Sequence, residues 1–408
     1  MIVKMAFRNI FRHKIRTTLT MLAVFFGIFI TLFGVSINNG MTRYAITQFI
    51  KTDIGVFKIY KKGFYKERED LDPLKYIIKD DQNIKEKVKA IFPDADIETR
   101  LAFNGSLTNG DVELPIKIFG IDPENENKIF LRKDSVISGD YLNKGDSETV
   151  LIGEKNAELL KLKVGDYITL MTRDANKSMN AYDVMVKGII KTGNNMVDEN
   201  QVFINYSFAK DFVSTDFGNE IVASISETSQ ERIGERIQAL QKNLKDAEVV
   251  PWYKEIEDFL KTMELDEKSG QIMMAIILLM AGVGITNTLI MAVYERKQEI
   301  GILYAMGFDR SRIISLFTLE GGFIGILAAL VAGIAGGIMI MYGAKYGLNI
   351  PAGQESMKSI PVGSRIYTYL EPMKMFYYLL SGVIVACIAS LYPAWFATRL
   401  NPVEIMRD

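Results

Sequence analysis

Few residues in this sequence have the chemistry of a catalytic or metal-binding site. The chain of 408 residues contains one cysteine, Cys387, and one histidine, His13. An internal disulfide and a Cys/His metal site are therefore excluded. The sequence also has no glycine-rich loop of the kind that holds nucleotide phosphates, no nucleophile elbow and no paired histidines. We expect no catalytic residue, no metal and no cofactor in this chain.

The charged residue that stands out is Glu320, because it lies inside a long apolar run. Four such runs occur, none of them contains Lys or Arg, and Glu320 is their only acidic residue. A charge at the centre of a membrane span costs roughly 2.5–3.5 kcal/mol on insertion scales. We therefore expect Glu320 to have a partner, with Asn287 and the Arg16 end of the first run as candidates. A structural hydrogen bond is favoured over proton transfer.

The segment Glu295–Ile313, "ERKQEIGILYAMGFDRSRI", combines charges with an apolar face. Positions 0, 3, 4 and 7 of a helix hold Ile300, Leu303, Tyr304 and Gly307. Gly307 followed by Phe308 is typical of a C-terminal helix cap. The spacing predicts a short amphipathic helix, which would either lie on the lipid surface or contact another protein.

The elements that hold these residues are four apolar runs, each as long as the roughly 20 residues that cross a bilayer. The spans are assigned to residues 18–39, 271–293, 313–342 and 375–397. Short basic segments precede the first span, separate the second from the third and follow the fourth, so the positive-inside rule places them in the cytoplasm. This topology makes 343–374 an external loop and 398–408 a cytoplasmic tail. A cleaved signal peptide is the competing interpretation of the first span, but its apolar run is longer than usual.

Residues 40–270, between the first two spans, are charged and soluble in character. Strand and helix patterns alternate in 40–122 and return in 219–270, whereas 123–218 holds mostly short strand patterns. The Asn109-Gly110 pair between two strand-like runs predicts a β-hairpin. We expect an α/β subdomain split by a β-rich insertion, with a binding or force-bearing role. The formal net charge of −1 argues against nucleic-acid binding.

Several motifs resemble the MacB/LolCDE/FtsX-type ABC transporter permeases. The segment Glu295–Ile313, followed by "LFTLEGGFIGILAALVAGIAGG", is similar to the core of that family. "AFRNIFRHKIRTTLTMLAVFFGI" resembles its N-terminal amphipathic helix and first span, and "LKVGDYITL" with "YDVMVKGII" resembles its periplasmic domain. "LYPAWFATRLNPVEIMRD" resembles its C-terminal ending. Together these motifs cover nearly the whole chain.

The resemblance implies an α-helical membrane protein with four transmembrane helices and a large periplasmic α+β domain. Its Porter-like α/β subdomain would comprise 40–122 and 219–270, and its β-rich Sabre-like insertion would comprise 123–218. Residues 1–17 would form a cytoplasmic amphipathic N-terminal helix. Residues 294–312 would form the family's coupling helix, which docks on a cytoplasmic ATPase.

The resemblance also implies partners. By the resemblance, six residues of the coupling helix would form the contact with the ATPase: Glu295, Arg296, Glu299, Ile300, Leu303 and Gly307. ATP and Mg would be bound by a cytoplasmic ABC ATPase dimer rather than by this chain. A second permease copy is expected, and the choice between homodimer and heterodimer is open.

Phenylalanine and methionine recur at helical spacing in the first two spans. The first span has Phe25, Phe29 and Phe33, and the second has Met273, Ile277 and Met280. A flexible wall of this kind suits an acyl chain of variable shape, which makes these residues candidates for substrate binding. The alternative, favoured for any single residue, is that they face the bilayer or a neighbouring span.

The absence of a fused ATPase domain favours the lipoprotein-releasing, LolC/LolE-like branch. The expected function is a non-catalytic permease subunit in the bacterial inner membrane that couples ATP hydrolysis to release of lipoproteins, with a periplasmic carrier as a candidate partner. Export of a peptide, antibiotic or toxin through a periplasmic adaptor is one alternative. FtsX-like signalling to cell-wall hydrolases is another. A hydrophobic cavity between the first two spans at the outer leaflet would favour lipoprotein release.

Overall fold

The structure is a computed structural model that describes residues 2–10, 12, 14–65, 72–348 and 365–399. The predicted loop 343–374 and tail 398–408 lie partly outside these residues, and so do His13 and the side chain of Arg16. The described residues form two units. The first unit comprises residues 2–42, 262–348 and 365–399, and the second comprises residues 43–261.

The helices are numbered in chain order. They are α1 (Ile2–Ile10), α2 (Lys14–Phe49), α3 (Asp81–Ile91), α4 (Pro123–Phe130), α5 (Glu154–Leu160), α6 (Asn195–Asn200), α7 (Tyr206–Phe212), α8 (Gln230–Asn243), α9 (Trp252–Glu255), α10 (Glu257–Glu295), α11 (Lys297–Ala305), α12 (Arg310–Tyr346) and α13 (Pro372–Ala397). The strands are β1 (Phe57–Lys61), β2 (Asp96–Thr108), β3 (Glu113–Ile121), β4 (Val136–Gly139), β5 (Thr149–Gly153), β6 (Tyr167–Arg173), β7 (Met179–Ile190), β8 (Gln201–Asn205), β9 (Glu220–Ser224) and β10 (Ala247–Pro251).

Among the described residues, four helices, α2, α10, α12 and α13, are long and apolar enough to cross a membrane. They contain the four predicted spans, which are thereby confirmed. α10 begins well before the predicted span at 271, because a polar stretch continues the same helix. Within that stretch Lys261 pairs with Glu257 at 2.9 Å and Lys268 pairs with Glu264 at 2.7 Å, both at i, i+4 spacing. Such pairs stabilise an exposed helical turn.

Small residues allow α12 and α13 to pack closely. A Cβ atom added at Gly321 would lie 2.5 Å from Ser390, and one added at Gly325 would lie 2.7 Å from the Ala386 side chain. Larger residues at these positions would force the two helices apart, as is usual where small residues line a membrane helix contact. Gly321 and Gly325 of α12 therefore pack against α13 inside the chain.

One part of the second unit is an antiparallel sheet in the order β10, β1, β9 and the first half of β2. α3 and α8 contribute apolar residues at helical spacing to the core that these strands share. Those residues are Ile84 and Val88 of α3 and Ile233, Ile237 and Leu240 of α8. This arrangement is the α/β subdomain that the alternating patterns predicted.

The other part of the second unit is a closed barrel. Pairing runs from β2 to β3, β8, β5, β7 and β6, and β6 pairs with β2 again. The β2–β3 hairpin confirms the turn predicted at Asn109-Gly110. However, the hairpin belongs to the barrel, so the predicted boundary at residue 123 does not divide the two parts. β2 itself changes neighbours, pairing with β9 through Arg100 and with β3 from Leu101 onward.

A buried charge network lies where β2 changes neighbours. The Arg100 side chain is fully buried and donates to the two carboxylate oxygens of Glu126 at 2.9 and 2.6 Å and to Glu220 at 3.3 Å. Arg132 donates to Glu126 at 2.7 Å. Removing one member of such a network would leave an unpaired buried charge, which is strongly unfavourable. The network therefore holds both parts of the unit in one arrangement.

Glu98 on β2 is another buried carboxyl group in this unit. Burial, followed by the nearby charge of Glu126, raises the pKa of Glu98 to about 8. Its Oε1 accepts a hydrogen bond from the Asp122 amide at 3.3 Å. We therefore expect Glu98 to keep its proton at neutral pH in the folded chain.

Glu98→Gln tests this protonation through the pH dependence of unfolding. The folded chain holds the Glu98 proton up to about pH 8, whereas an ordinary glutamate loses it near pH 4.5. Between these values the free energy of unfolding of the natural chain should fall as pH rises, by up to about 1.4 kcal/mol per pH unit from this group. Glu98→Gln should lack this component of the pH dependence.

Trp252 fluorescence in a Trp395→Phe background reports on the second unit, since the sequence contains two tryptophans. Thermal unfolding of the full chain in detergent at several pH values gives the comparison. Identical pH slopes with and without Glu98→Gln would mean that Glu98 is already ionised when folded.

Candidate functional site

The segment between α10 and α12 folds as α11 and ends at a left-handed glycine. Gly307 has a φ of 86°, and its amide donates to the Tyr304 carbonyl oxygen at 3.0 Å. The Phe308 amide donates to the Leu303 carbonyl oxygen, also at 3.0 Å. These two bonds form a Schellman cap, and Leu303 and Phe308 pack in one apolar cluster beside it. The predicted helix with its cap at Gly307 is confirmed.

The predicted apolar face of α11 is turned into the chain. Ile300 and Leu303 are 2% and 8% exposed. They pack in one cluster with residues of α1, α12 and α13, namely Ala6, Ile313, Leu316, Phe317, Ala394 and Ala397. The chain itself thus covers the side chains of Ile300 and Leu303 in this structure, and their assignment to an ATPase contact stays a prediction.

The opposite face of α11 is exposed and partly apolar. Ile302 and Met306 are 55% and 63% exposed. Exposed neighbours are Glu295, Lys297, Gln298 and Gly307. Large exposed apolar side chains ringed by polar ones are typical of a surface that a partner covers. The sequence analysis missed Ile302 and Met306, although their i, i+4 spacing is the same signal that marked the buried face.

Arg296 and Glu320 form a buried ion pair between the start of α11 and α12. The Arg296 Nη1 donates to both carboxylate oxygens of Glu320, at 3.1 and 3.0 Å. The two side chains are 9% and 7% exposed. Asn9 of α1 donates through Nδ2 to the same carboxylate at 2.5 Å. Several hydrogen bonds thus satisfy a carboxylate that would be costly to bury alone.

These partners of Glu320 are not the predicted ones. Asn287 is exposed on α10, and the side chain of Arg16 lies outside the described residues. The described ion-pair partner of Glu320 is Arg296, which is buried. The reason is that the chain turns back at α11. α12 therefore brings Glu320 next to Arg296, the residue that follows α10, although the two are 24 positions apart in sequence. A reversal of this kind is not visible in the periodicity of either helix.

Glu299 extends the ion pair toward the N-terminal region. The Arg296 Nε donates to Glu299 Oε2 at 3.0 Å, and Glu299 Oε1 pairs with Arg12, which precedes α2. The network therefore links α11 to α12, to α1 and to the residue between α1 and α2. Of the six residues assigned to the ATPase contact, Arg296 is buried and Glu299 is half-buried within this network.

A groove of about 390 Å³ lies between α2 and α10. The two helices touch at Gly27, where an added Cβ would lie 3.6 Å from Ile277 and 3.7 Å from Ala281. From there toward the end of α2 the groove opens. Its lining residues are Ile30, Thr31, Gly34, Val35, Asn38 and Asn39 of α2, Asp266, Glu267, Gly270, Met273, Met274 and Ile277 of α10, and Tyr378 of α13.

The groove takes in only part of the predicted substrate-binding set. Met273 and Ile277 line it, but Phe25, Phe29 and Phe33 do not, and Met280 is exposed elsewhere on α10. Phe25 and Phe29 stack on each other at 5.5 Å and are partly buried against the core of the unit.

The reason for the difference is helical phase. The groove face of α2 follows Ile30, Gly34 and Asn38, and the phenylalanines precede this series by one position, which turns them by about 100°. Glycine, asparagine and carboxylate residues of the groove carried no apolar signal, so the sequence analysis missed them.

Comparison with known proteins places the chain among transporter subunits. Residues 17–240 match the family model described as the MacB-like periplasmic core domain, and residues 271–402 match the one described as the FtsX-like permease C-terminal. An uncharacterized ABC transporter permease of Methanocaldococcus jannaschii is 26% identical over 100% of this chain and 97% of its own length. The lipoprotein-releasing system transmembrane protein LolC of Xylella fastidiosa is 23% identical over 74% of this chain and 75% of its own length.

Among solved structures, the periplasmic region of MacB from Actinobacillus actinomycetemcomitans is similar to part of the chain. The identity is 13% and the TM-score is 0.35, and the likeness covers 54% of this chain and 97% of the other.

The buried ion pair predicts non-additive effects of substitution. Glu320→Leu leaves Arg296 buried without its main partner, which should lower the free energy of unfolding of the first unit by about 3–5 kcal/mol. Combining Glu320→Leu with Arg296→Met removes both charges and should restore most of that loss. Denaturant unfolding of the purified chain, followed by Trp395 fluorescence in a Trp252→Phe background, measures the free energy of unfolding of the two single variants and of the double variant. A double variant as unstable as the sum of the single variants would contradict the pairing.

Proposed function

Because the chain belongs to the MacB- and FtsX-type family of ABC transporter permeases, we propose that it is the membrane subunit of a lipoprotein-releasing transporter. In this proposal a separate cytoplasmic ATPase supplies the energy, and the permease draws lipid-anchored proteins out of the membrane. The observation that carries the proposal is the groove between α2 and α10. A cavity at this place is the feature that distinguishes handling of a lipid from export of a soluble substrate.

The chemistry of the groove suits an acyl chain. Part of the groove is apolar, with Ile30, Val35, Met274 and Ile277 among its lining residues. Methionine and glycine there leave a wall that adapts to chains of different shape. At about 390 Å³ the groove falls in the range of ordinary small-molecule sites. It opens between helices that cross the membrane, so an acyl chain would enter from the bilayer without passing through water.

The remaining parts of the complex follow from the family. ATP and Mg would be held by a cytoplasmic ATPase dimer, and this chain would pair with a second permease copy. The basic segments around α1 and α11 favour a cytoplasmic position for both helices. The second unit then lies on the periplasmic side of a bacterial inner membrane, where a carrier would receive the released lipoprotein.

The exposed face of α11 is the surface that we assign to the ATPase. Ile302 and Met306 would enter an apolar depression of the partner, with Lys297 and Gln298 at the rim. Leu303 and Ile300 would act indirectly, by fixing α11 to α1, α12 and α13. The Arg296–Glu320 pair would transmit a displacement of α11 to α12, because breaking it would leave two buried charges unpaired.

Substitution on the two faces of α11 should separate these roles. Ile302→Asp and Met306→Asp place a charge in the contact and should abolish co-purification of the ATPase that accompanies the natural chain, while the permease itself stays folded. Leu303→Asp buries a charge within the chain and should instead reduce the yield of folded permease. Val3→Asp, at an exposed apolar position of α1, is the matched control. ATPase recovery at the natural level with both Ile302→Asp and Met306→Asp would contradict the assignment.

Filling the groove should block lipoprotein release. A Cβ added at Gly34 meets no heavy atom within 4 Å, so Gly34→Leu should occupy the groove without straining the helices. We expect at least a tenfold loss of lipoprotein release from proteoliposomes that contain the complete transporter. ATPase co-purification should be unchanged.

Gly284→Leu is the matched control for this substitution. A Cβ at Gly284 likewise meets no heavy atom within 4 Å, and Gly284 does not line the groove. Release at the natural rate with Gly34→Leu would leave the groove without a role in lipid handling. In that case export of a soluble substrate would be the better proposal.

A further inference from the structure

The groove between α2 and α10 changes polarity along its length. Its apolar end lies near the contact of α2 with α10, around Ile30 and Ile277. At its other end, called here the mouth, α2 supplies the amides Asn38 and Asn39, and α10 supplies the carboxylates Asp266 and Glu267. An acyl chain in the apolar end would therefore bring its headgroup toward these four side chains.

The charges at the mouth do not cancel. Glu267 pairs with Lys374 of α13 at 2.8 Å, and Lys268, which follows it, is engaged with Glu264 at 2.7 Å. Asp266 is exposed, and within the part of the chain that the structure describes no cation lies at salt-bridge distance from its carboxylate. The α2 side of the mouth contributes amides rather than cations. The mouth thus keeps a negative charge beside the path of a lipid headgroup.

We propose that this mouth selects lipids by headgroup charge. It repels the phosphate of an anionic phospholipid and admits acyl chains whose headgroup has no net negative charge. The inference rests on the proposed function, in which the groove holds the acyl chains of a lipid anchor. Like charges close together at a protein surface with apolar walls are screened less than in bulk water, so one uncompensated carboxylate is enough to bias occupancy.

Selection by headgroup charge would reduce competition from bilayer lipids for the groove. A groove that opens to the bilayer meets phospholipids in large excess over any lipid-anchored protein, and their acyl chains are alike. Shape alone therefore cannot reserve the site for the cargo, whereas the headgroup differs. A repulsive element against the wrong ligand is a general way to gain specificity when the attractive contacts are shared. The cargo class that fits is a protein anchored through acyl chains without a net negative headgroup charge, and the competitors that the mouth excludes are the anionic phospholipids.

Tryptophan quenching measures this selection in the full chain. Met273→Trp, combined with Trp252→Phe and Trp395→Phe, places the only tryptophan at the groove, since the sequence contains two others. The variant is embedded in nanodiscs of phosphatidylcholine that carry a small, equal mole fraction of one probe lipid with dibrominated acyl chains. The probes are phosphatidylglycerol, which is anionic, and diacylglycerol, which is uncharged. Gly34→Leu, which fills the groove, gives the quenching due to surrounding bilayer alone.

We expect the uncharged probe to occupy the groove about tenfold more than the anionic probe, equivalent to about 1.4 kcal/mol. Asp266→Asn should reduce this ratio to near one. Glu264→Gln combined with Lys268→Gln removes a carboxylate together with its paired cation from the same helix outside the groove, and should leave the ratio unchanged. Loss of selection only with Asp266→Asn would support the proposal.

Two different failures are distinguishable. Equal occupancy by both probes, or a ratio that Asp266→Asn leaves unchanged, would overturn selection at the mouth while the groove remains a lipid site. An equal change of the ratio in the Glu264→Gln, Lys268→Gln double variant would do the same. Quenching by both probes that Gly34→Leu does not reduce would mean that no acyl chain enters the groove. That result would overturn this proposal together with the lipid-handling part of the proposed function.

Discussion

The first unit depends on the neutralisation of one carboxylate. Glu320 lies in a helix built to cross a membrane, and only a close cation and further hydrogen bonds make its burial acceptable there. Arg296 supplies the cation, and this requirement fixes the start of α11 against α12. Asn9 and the Glu299–Arg12 pair then fix α1 and the beginning of α2 to the same point. The inward face of α11 follows from this anchoring, and so does the outward position of Ile302 and Met306.

The same unit contains one tight and one open pair of helices. α12 and α13 meet through glycine and other small residues, so their backbones approach closely. α2 and α10 touch at Gly27 and Ile277 and then leave a groove between them. The unit therefore combines a closely packed pair of helices, which includes the anchoring carboxylate, with a pair that leaves a groove.

The second unit also contains buried charges that are paired with one another. β2 is shared by an antiparallel sheet and a closed barrel, and the fully buried Arg100 lies where one passes into the other. Its bonds to Glu126 and Glu220 connect residues from distant parts of the sequence. Burial and the nearby charge of Glu126 raise the pKa of Glu98, which lies on the same strand, to about 8. Buried charge thus fixes the geometry in both units.

The sequence by itself determined the features whose free energy is local. The four membrane helices follow from the length of their apolar runs, the end of α11 from the backbone freedom of Gly307, and the β2–β3 turn from Asn109-Gly110. The family resemblance, and with it the two-part soluble domain, also came from contiguous motifs.

Only the tertiary structure decided which of the two apolar faces of α11 is buried inside the chain. α11 carries apolar residues on both faces, and the choice between Leu303 and Met306 depends on what α1, α12 and α13 offer. Periodicity placed phenylalanines along α2, but the groove follows a neighbouring series whose small and polar residues carry no apolar signal. The partner of Glu320 and the change of neighbours within β2 join residues far apart in sequence. Such contacts are selected by the packing of the whole unit, which no local pattern contains.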